Sequence, residues 1–346
     1  MSSKQPSLIW IFFLWLVAFY AAWLGIVIYG DHWQTLAEHY GIAIAMAFGS
    51  YFAGSTPMGG GTVGFPILVL LFGEPATLGR DFSFAVQSIG MTSASILIFC
   101  RRQPLEWVIL RWSLLGALIG TPLGVLFVAP VVPEPAIKIF FAIIWASFGV
   151  LHLYRTQNIC ANVGETPAAH RFDRDVGFGV GLLGGAFVAS ITGVGIDMIL
   201  YAVMVLLMRA DLKAAIPSSV IIMAFTSVIA ILMKMALGTV HPDVFGNWLS
   251  AAPIVALGAP LGALIVALIG RRITLFVVAI LCIGQFVWTM QQSFGEFGLV
   301  VIALSVFAVG FFVAGFEWMW KIGDRLARRS ARLTIHARHL ESFNAG

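Results

Sequence analysis

The sequence predicts an all-α polytopic membrane protein built from two inverted repeats, and three observations predict it. Hydrophobic residues make up 60% of the chain and charged residues only 10%, where a soluble domain carries roughly 25% charged residues. Apolar runs close to the roughly 20 residues needed to cross a bilayer recur from end to end. Two glycine-rich breaks interrupt those runs: Ser55-Thr-Pro-Met-Gly-Gly-Gly-Thr-Val-Gly-Phe-Pro66 and the weaker Ser190-Ile-Thr-Gly-Val-Gly-Ile-Asp197. Glycine and proline break helices, and paired breaks at matching points of two halves mark a transporter binding site.

Taken in order, the first run over 8–30 is too long for a signal-peptide core and has no small-residue cleavage site, so it reads as a retained membrane helix. Further full spans are expected near 81–100, 105–129, 136–154, 213–237, 246–269, 272–290 and 297–320. Together with the first run they make eight. Four shorter runs, near 38–55, 62–73, 176–190 and 196–209, flank the two breaks and read as broken or re-entrant half-helices. Non-helical backbone at membrane depth is tolerated only where protein or a water-filled cavity surrounds it, so the breaks should be central.

The hydrophilic stretch from Tyr154 to Asp175, which includes Pro167, divides the chain. The halves on either side match in three places. Gly59 and Gly61 correspond to Gly193 and Gly195, Thr92-Ser93 to Thr226-Ser227, and Gly120-Thr-Pro-Leu-Gly124 to Gly258-Ala-Pro-Leu-Gly262, all about 134–138 residues apart and in the same order. The organisation expected is an N-terminal helix and external loop (1–37), a first repeat (38–155), a linker (156–173), a second repeat (174–290), a last helix (291–320) and a basic tail (321–346).

Charge sets the orientation. The net charge of +4 reads as topology, since the basic residues lie in short loops and in the tail with Lys321, Arg325, Arg328, Arg329, Arg332 and Arg338. By the positive-inside rule that tail, Arg271-Arg272, Arg209 with Lys213, the linker and Arg101-Arg102 face the cytoplasm, as does the N-terminus. The stretches Asp31–His39, Ala129–Pro135, Gly238–Asn247 and Gln291–Glu296 lack Lys and Arg and face outward. Each repeat holds an odd number of crossings and the two start on opposite sides, so the repeats are inverted.

The breaks are the first candidates for chemistry. A half-helix starting near Thr62 leaves free N–H groups at its positive end, and the glycines before it let a ligand approach the backbone. Gly59, Gly60, Gly61 and Thr62, with Thr192, Gly193 and Gly195 in the second half, are therefore candidate contacts for a small anion. The bland alternative is close helix packing by small residues. The helices after the breaks carry Ser83, Gln87, Ser88, Thr92 and Ser93, then Ser218, Ser219, Thr226 and Ser227. Of these, Gln87, Ser88, Thr92, Thr226 and Ser227 are candidates to complete the anion's hydrogen bonds, with inter-helix glue as the alternative.

Asp197 lies in an apolar run directly after the second break. It is a candidate for coupling-ion binding, as an ionisable residue within a membrane segment, and equally a candidate helix cap. Arg80 and Asp81 are expected to neutralise each other, with Arg80 a candidate for an outer mouth, and Lys234 is expected to snorkel. Trp10, Trp33, Trp107, Trp112, Trp248 and Trp318 fit an aromatic belt. The cysteines Cys100, Cys160 and Cys282 form no metal-binding or disulfide pattern, and no nucleotide-binding loop or nucleophile elbow is present. These absences point away from an enzyme and from any cofactor or metal.

The run Gly59-Gly-Gly-Thr-Val-Gly-Phe-Pro66, the later Thr192-Gly-Val-Gly195 and the two Gly-x-Pro-Leu-Gly segments resemble the sulfite exporter family TauE/SafE over about residues 40–290, and Gln87-Ser-Ile-Gly-Met91 resembles one of its branches. In the second break Gly-Val-Gly replaces a full glycine run, and Asp197 stands where the first half has Val63. The resemblance implies a secondary transporter, usually an exporter, of small sulfur-containing anions such as sulfite or organosulfonates, in the bacterial inner membrane. Expected partners are the small anion and the lipid bilayer, with a homodimer allowed and no nucleic acid. An anion channel and an ion-coupled permease for another small organic acid are the alternatives.

Overall fold

Helices joined by short turns make up nearly all of the chain, with no strand among the described residues. The computed structural model describes residues 8–162, 164, 170–269 and 271–344. Pro167 of the expected linker and the side chains of Arg271, Glu296, Arg329, Arg332 and Arg338 lie outside the described residues.

In chain order the elements are α1 (Ile9–Tyr29), α2 (Trp33–Glu38), α3 (Tyr40–Ser55), α4 (Gly61–Leu71), α5 (Ala76–Cys100), α6 (Trp107–Val131) and α7 (Glu134–Cys160). They continue with α8 (Arg171–Thr192), α9 (Ile196–Leu207), α10 (Leu212–Ala236), α11 (Val244–Ile269), α12 (Arg272–Gly295) and α13 (Gly298–Arg328, running on to Asn344). Among the described residues nine helices are long and apolar enough to cross a membrane, and the chain is a multi-span membrane protein.

The ninth helix of that length is α8, Arg171–Thr192, where the sequence suggested only a short run over 176–190. The polar stretch His170-Arg-Phe-Asp-Arg-Asp175 hides its first turns from a hydropathy reading, yet it is helical. At its far end a π-helical segment over Gly184–Ala189 carries the helix on to Thr192. The other short runs stay short: α3 has 16 residues, and α4 and α9 begin at the two breaks.

Packing is reciprocal between the two halves. α3 packs along α11, α8 packs along α6, α5 meets α10, and α7 lies against the C-terminal helices. The repeated Gly-x-Pro-Leu-Gly segments create the first two contacts. A side-chain carbon on Gly120 would meet Leu182 O of α8 at 2.1 Å, and one on Gly124 would meet Ala186 O at 2.3 Å. On α11 the same addition at Gly258 would meet Ser50 Oγ of α3 at 2.0 Å, and at Gly262 would meet Tyr51 O at 2.4 Å. Bare glycines thus let two helix pairs approach backbone to backbone, where dispersion rather than hydrophobic transfer drives association in lipid. Ser93 reinforces the bundle by donating to Ala256 O of α11.

The two breaks and the helices that carry them lie inside this frame, while α1 and α13 lie on its outside. α13 is tied on by charge. Arg155 of α7 pairs with Glu317 at 2.6 Å, Arg209 pairs with Asp324 at 3.3 Å, and the Trp320 ring lies 3.3 Å from the Arg209 guanidinium carbon.

Candidate functional site

The two breaks meet. All residues from Ala53 to Thr62 and from Val188 to Met198 are buried. A side-chain carbon on Gly61 would fall 2.2 Å from Val194 Cγ1, so the first break lies directly against the second. The second break lies against the start of α5, where a carbon on Gly193 would meet Arg80 O at 2.4 Å. Gly193 (φ +81°) and Gly195 (φ +97°) bracket that turn in the left-handed region that favours glycine.

Each turn is closed on itself. At the first, the N–H groups of Val63 and Gly64 donate to Gly60 O at 3.2 and 3.1 Å, and Thr62 N–H donates to Gly59 O over a long 3.4 Å. The donors that the sequence reading left free at the start of α4 therefore have backbone acceptors in this arrangement. At the second break Thr192 Oγ1 lies 2.7 Å from Val194 O and 2.8 Å from Val188 O, donating to one at a time, and accepts from Val194 N–H at 3.3 Å.

Two residues join the breaks. Gln87 of α5 donates through Nε2 to Ser83 O at 3.1 Å and across to Gly193 O at 3.4 Å. Trp145 of α7 donates its indole N–H to Thr62 Oγ1 at 2.9 Å, while its ring edge would meet a carbon on Gly195 at 3.3 Å. Trp145 is fully buried and stacks on Phe141 at 3.9 Å, which stacks on Phe65 of α4 at 4.1 Å. The sequence reading passed over Trp145. Its signal was position: a tryptophan in the middle of a span, rather than in the interfacial belt, needs a partner for its N–H.

Asp197 is buried at the start of α9, where Oδ1 accepts the Met198 N–H at 3.0 Å. Its Oδ2 faces the first break, 3.3 Å from where a side-chain carbon on Gly59 would stand. Gly59, Gly61, Thr62, Gln87, Gly193, Gly195 and Asp197 are thus brought together. Gly60 lies at the edge, towards Met46 and Ala53.

The other hydroxyl candidates point elsewhere. Ser88 donates to Ala85 O and lines an outward groove with Ile231 and Trp248. Thr226 turns back on Ile222 O and Met223 O of its own helix, and the buried Ser227 hydroxyl has no partner among the described residues. Thr92 is half-buried, and among the described residues it makes no hydrogen bond to either break.

The two ends of the bundle differ in how they treat cations. At one end Arg80 and Lys234 are buried and share one carboxylate: Arg80 Nε is 3.2 Å from Asp81 Oδ1, Lys234 Nζ is 3.2 Å from Asp81 Oδ2, and His241 N–H donates to Oδ2 at 3.0 Å. Lys234 therefore reaches into the bundle instead of snorkelling, because Asp81 offers it an anion there. Arg80 is enclosed in the same network.

At the opposite end a cavity of about 470 Å³ is lined by Arg101, Arg102 and Lys213, and reaches Gly54 and Ser55 at the start of the first break. Among the described residues none of these three cations has an ion-pair partner, whereas Arg80, Arg155, Arg174, Arg209, Lys234 and Arg328 each have one. The nearby Glu106 has its carboxyl held above the ordinary range by burial, and then by the carboxylates of Asp173 and Asp211. A carboxyl held towards its neutral form subtracts less from the positive field of the cavity.

With this geometry in hand, the comparisons with known proteins decide the family. The model of the sulfite exporter TauE/SafE family matches residues 40–288, from α3 into α12. The chain belongs to the TauE/SafE family. That family is one of transporters, and the matched region contains both breaks, Gln87, Trp145 and Asp197. Comparison with curated proteins and with solved structures returned no match.

Proposed function

We propose that this TauE/SafE protein is a secondary transporter that exports small sulfur-containing anions, sulfite or organosulfonates, across the bacterial inner membrane. The observation that carries the reading is the meeting of the two breaks in a fully buried centre, tied to each other by Gln87 and Trp145. Paired helix interruptions near the middle of a bundle are where transporters bind solute. The long Thr62 N–H···O bond is the weakest of the first turn, and opening it would offer that N–H to an anion.

The positive-inside rule puts the Arg101, Arg102 and Lys213 end in the cytosol, along with both termini. On that orientation the cavity is the cytosolic approach to the site, and its unpaired cations raise the local concentration of anions. The reciprocal packing of α3 with α11 and of α8 with α6 supports two inverted repeats. Rocking of one repeat against the other would open the buried centre to each side in turn. An inside-negative potential favours anion exit by roughly 2.3 kcal/mol per charge per 100 mV.

The test is flux in proteoliposomes, with sulfite, sulfoacetate, sulfate and taurine offered separately and the potential clamped. Saturable flux of at least one sulfur oxyanion at transporter rates is the expected outcome. Flux confined to an unrelated solute would overturn the substrate class, and unsaturable currents of channel size in planar bilayers would overturn alternating access.

A further inference from the structure

Gln87 and Asp197 come from different halves of the chain and face one small space beside Gly59. The orientation of the Gln87 amide follows from its neighbours. Ser83 O and Gly193 O both lie within reach of one amide atom, at 3.1 and 3.4 Å, and carbonyls only accept, so that atom is the nitrogen. Oε1 then points the other way, and would lie 2.4 Å from a side-chain carbon on Gly59, with Asp197 Oδ2 3.3 Å from the same point. Among the described residues the buried Gln87 Oε1 has no donor.

A buried acceptor without a donor, Gln87 Oε1, therefore lies beside a buried carboxylate that accepts the backbone N–H of Met198. Burying an unsatisfied acceptor is costly, and burying an ionised carboxylate without a cation is costlier. The ionisable groups on the surrounding elements do not relieve Asp197. Arg80 of α5 and Lys234 of α10 are committed to Asp81. His152 of α7 lies with Phe148 O and Tyr201. The charges of α8 lie in its first turns, from Arg171 to Asp175, and Lys213 lines the cavity at the start of α10. A proton on Asp197 Oδ2 would remove the buried charge and, with a small rotation of the two side chains about the space beside Gly59, give Gln87 Oε1 the donor it lacks.

We infer that Asp197 carries a proton shared with Gln87 while the breaks are packed together, and that this proton stays in place when an anion binds. The first part rests on the geometry alone; the second rests on the anion-transport reading above. An ionised carboxylate and a small anion repel in a low-dielectric space, so the anion favours the protonated site. Anion affinity should then fall as pH rises through the titration of Asp197.

Infrared difference spectroscopy on the full chain in lipid reads the proton directly. At neutral pH the protein should show a protonated-carboxyl C=O band that is lost in Asp197→Asn and shifts in Gln87→Leu, where the acceptor is gone. Absence of any band lost in Asp197→Asn would overturn the shared proton. At a pH where the band has titrated away, adding sulfoacetate, whose own charge is constant there, should restore it. A band that ignores sulfoacetate in protein that transports it would overturn the link to the anion. If no sulfur oxyanion is transported at all, the functional reading and the link to the anion fall together, and the shared proton stands or falls on the band alone.

Discussion

The two breaks perform the same topological task with different chemistry. The first is a run of three glycines closed by Thr62, which donates to Met58 O and accepts the Trp145 indole N–H from α7, and the turn itself contributes no charged group. The second takes the Gln87 amide of α5 at Gly193 O and adds a charged residue of its own. Thr192 closes the turn, Gly193 and Gly195 supply left-handed backbone with Gly195 as the N-cap of α9, and Asp197 lies in the first turn of that helix. About 134 residues on from Gln87 the second half has Ile221, so α10 offers no matching amide there. Two glycine breaks at matching places in the sequence thus differ in the chemistry they carry. The first break has one left-handed glycine, Gly59, and no charge; the second is fixed by two, Gly193 and Gly195, and carries the ionisable group.

That contrast predicts unequal tolerance to substitution. The largest effect should come from Gly193→Ala. The new carbon would lie 2.4 Å from Arg80 O, a backbone atom with no flexible end to move, at φ +81°. Strain and overpacking together should cost roughly 2–5 kcal/mol, visible as a large drop in thermal unfolding temperature in detergent. A wild-type melting temperature would contradict the local specification of the second break.

An intermediate effect is expected for Trp145→Phe. It keeps an aromatic ring on Phe141 but removes the N–H that reaches Thr62, a loss of about 1 kcal/mol. Because Trp145 touches both breaks, transport should fall more than stability does. Equal losses would make it packing alone.

The smallest effect belongs to Gly60→Ala. Its backbone is already helical at φ −69°, and the new carbon would meet only the flexible Met46 side chain at 3.3 Å and Ala53 at 3.6 Å. Stability should change by less than about 1 kcal/mol, measured in the same melting assay. A loss as large as that of Gly193→Ala would erase the distinction between the breaks.

Much of this was legible in the chain. The spans follow from hydropathy and the breaks from glycine and proline, because both are local properties that survive without knowledge of neighbours. Even the Gly-x-Pro-Leu-Gly repeats announced close contacts, although not that α6 would meet α8 and α11 would meet α3. Where local polarity misled, as in the first turns of α8, the helix was read several residues short, since a helix end rich in Arg and Asp looks like a loop. Single side chains were harder. Ser88, Thr92, Thr226 and Ser227 share a polar character with Gln87, and composition cannot say which face of a helix turns to the centre.

By itself the sequence determined a multi-span helical membrane protein, the positions of two interruptions and the membership of the TauE/SafE family. Only the tertiary structure decided that the interruptions touch, that Trp145 and Gln87 join them, that Lys234 pairs with Asp81, and that Asp197 faces an amide oxygen with no donor. The reason is sequence distance. Hydropathy and backbone breaks are written within one helical turn, whereas these contacts join residues from separate helices, and their partners are set by how the whole bundle packs.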